Sequence, residues 1–141
     1  GLLRSQANRG YFVRSLSASE AEEVYALRIK LEPEVVALAA ARATEAERNQ
    51  AMLMHLELDK VTAAHEAGVG ALNRAFHLAL IRPSGKTITT HLLERLHVIS
   101  ERYVRNHLEP QGRDERANGE HGLILRFWLD RDEKAVAKAV Q

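Results

Sequence analysis

Apolar and polar residues follow a helical period along almost the whole chain from Ser17 onward. The apolar positions recur every three or four residues, which is the spacing that places them on one side of an α-helix. Two capping boxes mark helix starts, since Ser17 is followed three positions later by Glu20 and Thr44 by Glu47. In such a box, the hydroxyl and the carboxylate satisfy backbone N–H groups that a new helix leaves unpaired. The pattern therefore predicts one helix after Ser17 and another after Thr44.

Proline and glycine divide the rest of this helical pattern into segments. We expect Pro33 to restart a helix as a first-turn residue, because a proline lacks the backbone N–H that a helix interior needs. The stretches PSG at 83–85 and EPQG at 109–112 are predicted to break the chain. Between these breaks the predicted helices cover about 44–68, 70–82, 86–108 and 114–129, and a last helix begins at Asp132. The sequence thus predicts an all-α fold, an antiparallel bundle of six to seven helices.

The long helix predicted at 86–108 carries most of its large apolar residues roughly on one side. They are Ile88, Leu92, Leu96, Ile99, Tyr103 and Val104.

The first 15 residues follow a different pattern. The turn signal NRG at 8–10 precedes YFV, whose aromatic and β-branched residues favour a strand. This is typical of half a β-hairpin, with Gly10 at a position that can require a positive φ. We therefore divide the chain into a short β remnant at 1–15 and a helical domain at 16–141. The chain also begins and ends within recognisable patterns, so we expect it to be a fragment of a longer protein.

Composition narrows the classes of function. The net charge of +1 does not give the chain the basic character of a nucleic-acid-binding module. The absence of cysteine excludes disulfides and thiolate metal sites, and it is consistent with a cytoplasmic protein. No apolar run approaches the ~18 residues needed to span a bilayer, so we predict no membrane partner. Gly-rich phosphate loops and nucleophile motifs are missing from the sequence, and nothing in it indicates an enzyme.

Two helices carry polar residues on faces that are otherwise apolar. Asn73 and His77 are four positions apart and share one face, although two such residues alone are more often an ordinary polar pair than a site. His121 shares much of its face with Ile124 and Trp128. Two inward histidines from different helices favour a metal site, because imidazole binds zinc, nickel, iron or copper. The other histidines lie in charged or polar contexts and are predicted to be mostly on the surface: His55, His65, His91, His97 and His107.

Arg28 lies in the middle of a predicted helix among apolar residues. Glu32, four positions later, can be its structural counter-ion. Alternatively, the guanidinium can hold a carboxylate ligand with two hydrogen bonds. The sequence alone does not decide between these two roles of Arg28. The role of Arg102 is even less determined by the sequence.

Several segments, taken in order, resemble a known family. NRGYFV is similar to the end of the winged helix-turn-helix in GntR-type bacterial transcriptional regulators. LRIKLEPEVVALAAARAT resembles the start of the FCD domain, the regulatory domain of the FadR subgroup, with its Arg-x-x-Leu-Glu motif. NRAFHLALIRPSG and GEHGLILRFWLDRDEKAVAKAV are similar to later segments of that domain. The resemblance covers nearly the whole chain and depends on the order and spacing of these motifs.

The resemblance implies an effector-binding and dimerisation domain at 16–141, truncated at its C-terminus, after a wing remnant at 1–15. Many members hold a divalent metal with an Asp and three His, and the first three of these positions correspond to Asn73, His77 and His121. The fourth would lie just past Gln141. Zinc is the first choice of metal, with nickel, manganese and iron as alternatives. Asn73 departs from the family pattern, because a neutral amide oxygen is a weaker ligand than a carboxylate.

The resemblance also implies partners. Arg28, and less strongly Arg102, would bind a small carboxylate effector next to the metal. Arg4, Arg9 and Gly10 would contact DNA from the wing, and a full-length homodimer would bind operator DNA through its N-terminal domains. Two alternatives remain: a metal-dependent enzyme built in a helical bundle, and a dimerisation module without metal.

Overall fold

The fold was analysed in a computed structural model, which describes residues 16–64, 68–107 and 113–141. All regular secondary structure in these ranges is helical, so the predicted all-α fold is confirmed. The β remnant predicted at 1–15 lies outside the described residues, together with Arg4, Arg9 and Gly10. None of the helices in the described ranges combines the length and apolar character that crossing a membrane requires.

Within the described ranges, six α-helices follow one another with short connections. They are α1 (Ala18–Arg42), α2 (Glu45–Ala63), α3 (Val69–Ile81), α4 (Thr87–His107), α5 (Arg113–Leu129) and α6 (Glu133–Ala139), with a short 3₁₀ helix (Arg82–Ser84) before α4. Both predicted capping boxes are present: the hydroxyl of Ser17 accepts from the backbone N–H of Glu20, and that of Thr44 accepts from the N–H of Glu47. The local sequence therefore sets where α1 and α2 begin.

Pro33 does not restart a helix, so this prediction was wrong. It lies inside α1, which continues through it. Buried residues lie on both sides of the proline, Ala21 and Val24 before it and Val35 and Ala39 after it, at spacings that keep them on one side of the helix. The packing of this continuous stripe outweighs the roughly 3 kcal/mol that a proline costs in a helix interior.

In the core, α1 packs against α3, α4, α5 and α6, while α2 packs mainly on α3 and α5. Trp128 of α5 is fully buried, and its indole Nε1 donates a hydrogen bond to the backbone carbonyl of Leu80 on α3 at 3.1 Å. Phe76 of α3 is also fully buried. Because the indole ring fills the core and its one polar atom is satisfied, Trp128 fixes the position of α5 against α3.

Arg131 connects the turn after α5 to the end of α1. Its guanidinium donates to the backbone carbonyls of Ala40, Ala41 and Ala43 at 2.7, 3.0 and 2.9 Å. The last carbonyls of a helix lack partners within the helix, and they carry partial negative charge that a cation stabilises. Arg131 has a φ of 57°, a left-handed conformation that non-glycine residues adopt only where the surrounding structure holds them.

The buried face of α4 differs from the side that carries most of its large apolar residues. Ile88 and Leu92 are 77% and 51% exposed. The buried residues of α4 include Leu93 and three polar residues, Thr90, His97 and Ser100. Hydrophobic periodicity misses this face because most of its buried members are polar. This polar face of α4 forms one wall of the candidate site.

Candidate metal site

Three histidines and one glutamate meet in the interior between four helices. His77 comes from α3, His97 from α4 and His121 from α5, while Glu32 comes from α1. These four residues are termed the histidine cluster below. Glu32, His97 and His121 are buried and His77 is partly buried. Buried polar side chains are costly unless they are paired, so their mutual contacts are central to what this site can do.

The structure brings together the two histidines that the sequence analysis singled out. Nε2 of His77 lies 3.3 Å from Nε2 of His121, and the two rings are nearly perpendicular, at 79°. Zinc binds imidazole nitrogen at about 2.0–2.1 Å, so two nitrogens bound tetrahedrally to one ion are roughly 3.4 Å apart. The observed separation of the two nitrogens therefore fits binding to a common ion.

Nδ1 of His121 is buried and has no hydrogen-bond partner among the described residues. Two facing imidazole nitrogens can share at most one N–H···N hydrogen bond, so the ring of His121 is poorly satisfied by the protein alone. A cation bound by the inner nitrogens would use both of their lone pairs, and this donor set suits zinc, nickel or iron.

His97 and Glu32 form a buried pair next to His77. Nε2 of His97 is 2.5 Å from Oε1 of Glu32, and the ring centroids of His97 and His77 are 5.0 Å apart. Glu32, His77 and His97 each offer one ligand atom, and these three atoms lie within 4.8 Å of one another. The prediction that His97 lies on the surface was wrong, since its exposed fraction is 3%.

Burial and neighbouring charges set the protonation of the cluster. Desolvation lowers the pKa of His77 well below its usual value, and the adjacent His97 and His121 lower it further. Desolvation also lowers the pKa of His121 to about 4, with a smaller contribution from His55. Both rings are therefore neutral at pH 7, which is the form of histidine that binds metals.

Glu32 has the opposite character, because it remains ionised although it is buried. Burial alone would raise the pKa of its carboxyl group. The hydrogen bond with His97, followed by the charges of His97 and Arg28, outweighs burial and lowers this pKa to about 2. The cluster therefore combines the neutral imidazoles of His77 and His121 with the carboxylate of Glu32.

Arg28 contacts Glu32, as the sequence spacing suggested. Its Nε donates to Oε1 of Glu32 at 2.9 Å, and its guanidinium lies over the ring of Tyr25, 5.3 Å from the ring centroid. The side chain of Arg28 is 18% exposed. It thus lies at the edge of the histidine cluster, where a ligand from outside can reach it.

The other two predicted site residues within the described ranges are Asn73 and Arg102. Asn73 is partly buried on α3, one turn before His77. Arg102 is exposed on α4, and no contact in the described part of the chain connects it to the histidine cluster.

Sequence reasoning missed Glu32 and His97 as members of the site. Glu32 was considered only as a counter-ion of Arg28. His97 follows Leu93 by four positions and precedes Ser100 by three, and this helical spacing from a buried leucine was a usable signal.

Comparisons with known proteins agree with this architecture. The family model of the FCD domain matches residues 23–141. The Nta operon transcriptional regulator of Aminobacter aminovorans is 34% identical over 102 residues, which cover 72% of this chain and 47% of that protein. The chain therefore spans about half the length of the curated relative that it matches.

Two solved structures have a similar fold. E. coli McbR/YncC superposes with a TM-score of 0.77 at 20% identity, covering 88% of this chain and 63% of that one. Streptococcus agalactiae GntR superposes with a TM-score of 0.78 at 17% identity, covering 94% of this chain and 59% of that one. The fold is thus shared with these two proteins, and the family model that matches residues 23–141 shows that the chain belongs to the FCD domain family.

Proposed function

We propose that this effector-binding domain senses a small organic acid, which binds next to a divalent metal ion in the histidine cluster. The observation that carries the proposal is the 3.3 Å separation between Nε2 of His77 and Nε2 of His121. The family supports the regulatory role, since the relative matched over most of this chain is a transcriptional regulator.

The metal ion would be held by His77 and His121, with Asn73 as a weaker oxygen donor one turn before His77. Zinc is the first candidate, and nickel, manganese and iron are alternatives. The ion would supply positive charge that attracts a carboxylate. The protein itself contributes two neutral imidazoles and a water-poor surrounding, in which that attraction is stronger than in bulk water.

Arg28 would bind the effector from the other side. Its Nε already contacts Glu32, but a guanidinium has five N–H donors in a planar fork. The remaining donors can hold a carboxylate with two parallel hydrogen bonds. A cation and a guanidinium together select an anionic ligand, and the apolar residues around them select its size.

In the full-length regulator, effector binding would change operator affinity by shifting the helices that carry two DNA-binding heads in a homodimer. The effector can do this only through different affinities for the two states of the protein. Operator DNA would be contacted by the N-terminal domain, with Arg4, Arg9 and Gly10 in the wing. The enzyme alternative has no comparable support, because Glu120, the carboxylate next to His121, is exposed.

Thermal unfolding of the zinc-loaded domain tests this proposal against sugar acids, hydroxy acids, amino acids and fatty acids. One class is expected to raise the melting temperature, because a ligand that binds only the folded state stabilises it by mass action. Arg28→Ala should abolish that shift, and Arg95→Ala, which changes an exposed arginine of α4, should retain it. A melting temperature that none of these acids changes would contradict the proposed effector class.

A further inference from the structure

We propose that Glu32 and His97 are ligands of the metal ion together with His77, and that Glu32 supplies the carboxylate that Asn73 lacks. This inference rests on the proposed function and changes its ligand set. The carboxylate then comes from α1 and an additional imidazole comes from α4. His77 belongs both to this set and to the pair with His121, so the site is centred on His77.

Distances support this set of ligands. The potential ligand atoms of Glu32, His77 and His97 already lie within 4.8 Å of one another in the protein without an ion. Donor atoms around one zinc ion lie roughly 3–3.5 Å apart. Small side-chain rotations that move the three ligand atoms by about an ångström would therefore bring them to the spacing that one ion requires. Because each residue comes from a different packed helix, the backbone already holds the set together.

Charge favours Glu32 over Asn73 as the oxygen ligand. Two imidazoles and a neutral amide would leave the full double charge of the ion inside the protein, and burying an uncompensated charge is costly. Glu32 is 3% exposed, and its carboxylate pairs with Arg28 and contacts His97. An ion bound next to this carboxylate therefore has part of its charge offset inside the protein.

The existing contacts of Glu32 leave one of its oxygens available for an ion. Nε of Arg28 and Nε2 of His97 both contact Oε1, at 2.9 and 2.5 Å. In the described structure, Oε2 is used by neither contact. Oε2 can therefore bind the ion while Oε1 keeps the contact with Arg28.

Cobalt titration of the purified domain tests the ligand set, since the visible absorption of bound Co²⁺ reports its ligands without any activity assay. We expect Glu32→Gln and His97→Gln each to weaken Co²⁺ binding by at least about tenfold, since even the outer partners of metal ligands are worth ~10- to 100-fold. Glu34→Gln and His91→Gln, exposed on α1 and α4, are the matched controls and should bind like the wild type. Asn73→Ala should have the smaller effect.

X-ray absorption at the zinc edge of the wild-type protein provides a readout that does not depend on whether a variant folds. We expect scattering from a carboxylate oxygen and from at least two imidazoles, those of His77 and His97. The inference is overturned if the spectrum shows no carboxylate oxygen at the ion, or if Asn73→Ala loses the metal while Glu32→Gln and His97→Gln retain it. In that case the proposed metal-dependent function still stands. Wild-type protein that binds neither Co²⁺ nor Zn²⁺ would overturn the inference and the metal part of the proposed function together.

Discussion

Nε2 of His77 and Nε2 of His121 face each other at 3.3 Å, although the two residues are 44 positions apart in the sequence. One comes from α3 and the other from α5, and Phe76 packs against the ring of His121 with a centroid distance of 5.4 Å. The protein thus holds two imidazole nitrogens close together in its interior. Their separation matches that of two nitrogens bound to one zinc ion.

The first prediction concerns the metal itself. Zinc should raise the melting temperature of the domain, and a chelator should reverse the effect. At a free zinc concentration 100 times the dissociation constant, the expected stabilisation is about 2.7 kcal/mol. His77→Ala and His121→Ala should each remove most of this gain, because each eliminates one of the two facing nitrogens. Differential scanning fluorimetry with and without zinc measures the effect.

His91→Ala is the control for this experiment, since His91 is an exposed histidine of α4 and should keep the full zinc response. A zinc shift that survives both His77→Ala and His121→Ala would show that the ion binds elsewhere.

The helices could be predicted because the signals that start them are local. The capping boxes at Ser17 and Thr44 depend on residues three positions apart, and both are present. The continuity of α1 through Pro33 could not be predicted in this way. It depends on packing against α3, α4 and α6, which local sequence does not report.

The site was predictable only in part, for a related reason. His77 and His121 lie on faces that also carry large apolar residues, so hydrophobic periodicity identifies them as inward. His97 lies on a face of α4 whose buried neighbours Thr90 and Ser100 are polar, and the same reasoning assigns it to solvent. Glu32 could be predicted as a partner of Arg28, because the two residues are four positions apart in one helix and such spacing places their side chains side by side. Its contact with His97, 65 positions away, requires the fold.

The second prediction is that a second substitution restores part of the zinc affinity that Glu32→Gln loses. Metal binding weakened by Glu32→Gln should be recovered in part by adding Asn73→Asp, because this restores a carboxylate at the family position, one turn before His77. We expect a recovery of about tenfold in zinc affinity, equivalent to roughly 1.4 kcal/mol. Competition with a chromophoric chelator measures the affinity of each variant.

Asn49→Asp in the same Glu32→Gln background is the matched control for the rescue, since Asn49 is exposed on α2 and its carboxylate should recover nothing. Equal affinities for Glu32→Gln with and without Asn73→Asp would show that position 73 does not reach the ion.

The third prediction is that acid destabilises the metal-free domain. The folded state lowers the pKa of His121 from 6.5 to about 4, and that of His77 also falls well below 6.5. The unfolded chain therefore binds more protons than the folded chain once the pH falls below 6.5, and stability is lost from there down to about pH 4. For His121 alone, the loss across this range is on the order of 3 kcal/mol.

Glu32 extends the loss of stability to lower pH. Its carboxyl pKa is lowered from 4.5 to about 2 in the folded state, so its stabilising contribution is complete above pH 4.5 and disappears towards pH 2.

Urea unfolding in the presence of a chelator, followed by circular dichroism between pH 7.5 and 4, measures the loss of stability that the histidines cause. His91→Gln should retain the slope with pH, and His121→Gln should reduce it. A free energy of unfolding that stays constant over this range would contradict the assigned pKa shifts.

The fourth prediction concerns Arg131, which holds the end of α1. Arg131→Ala removes hydrogen bonds to the carbonyls of Ala40, Ala41 and Ala43 while keeping the unfavourable φ of 57°. We expect the free energy of unfolding to fall by about 2–3 kcal/mol, because hydrogen bonds from a charged donor are worth more than neutral ones and some are partly buried. Arg131→Gly should lose less, since glycine adopts this conformation without strain.

Arg126→Ala, at an exposed position of α5, should change stability by less than about 0.5 kcal/mol in the same urea titration. If Arg131→Ala behaves like Arg126→Ala, then the packing of α6 against α1, and not these hydrogen bonds, holds the turn in place.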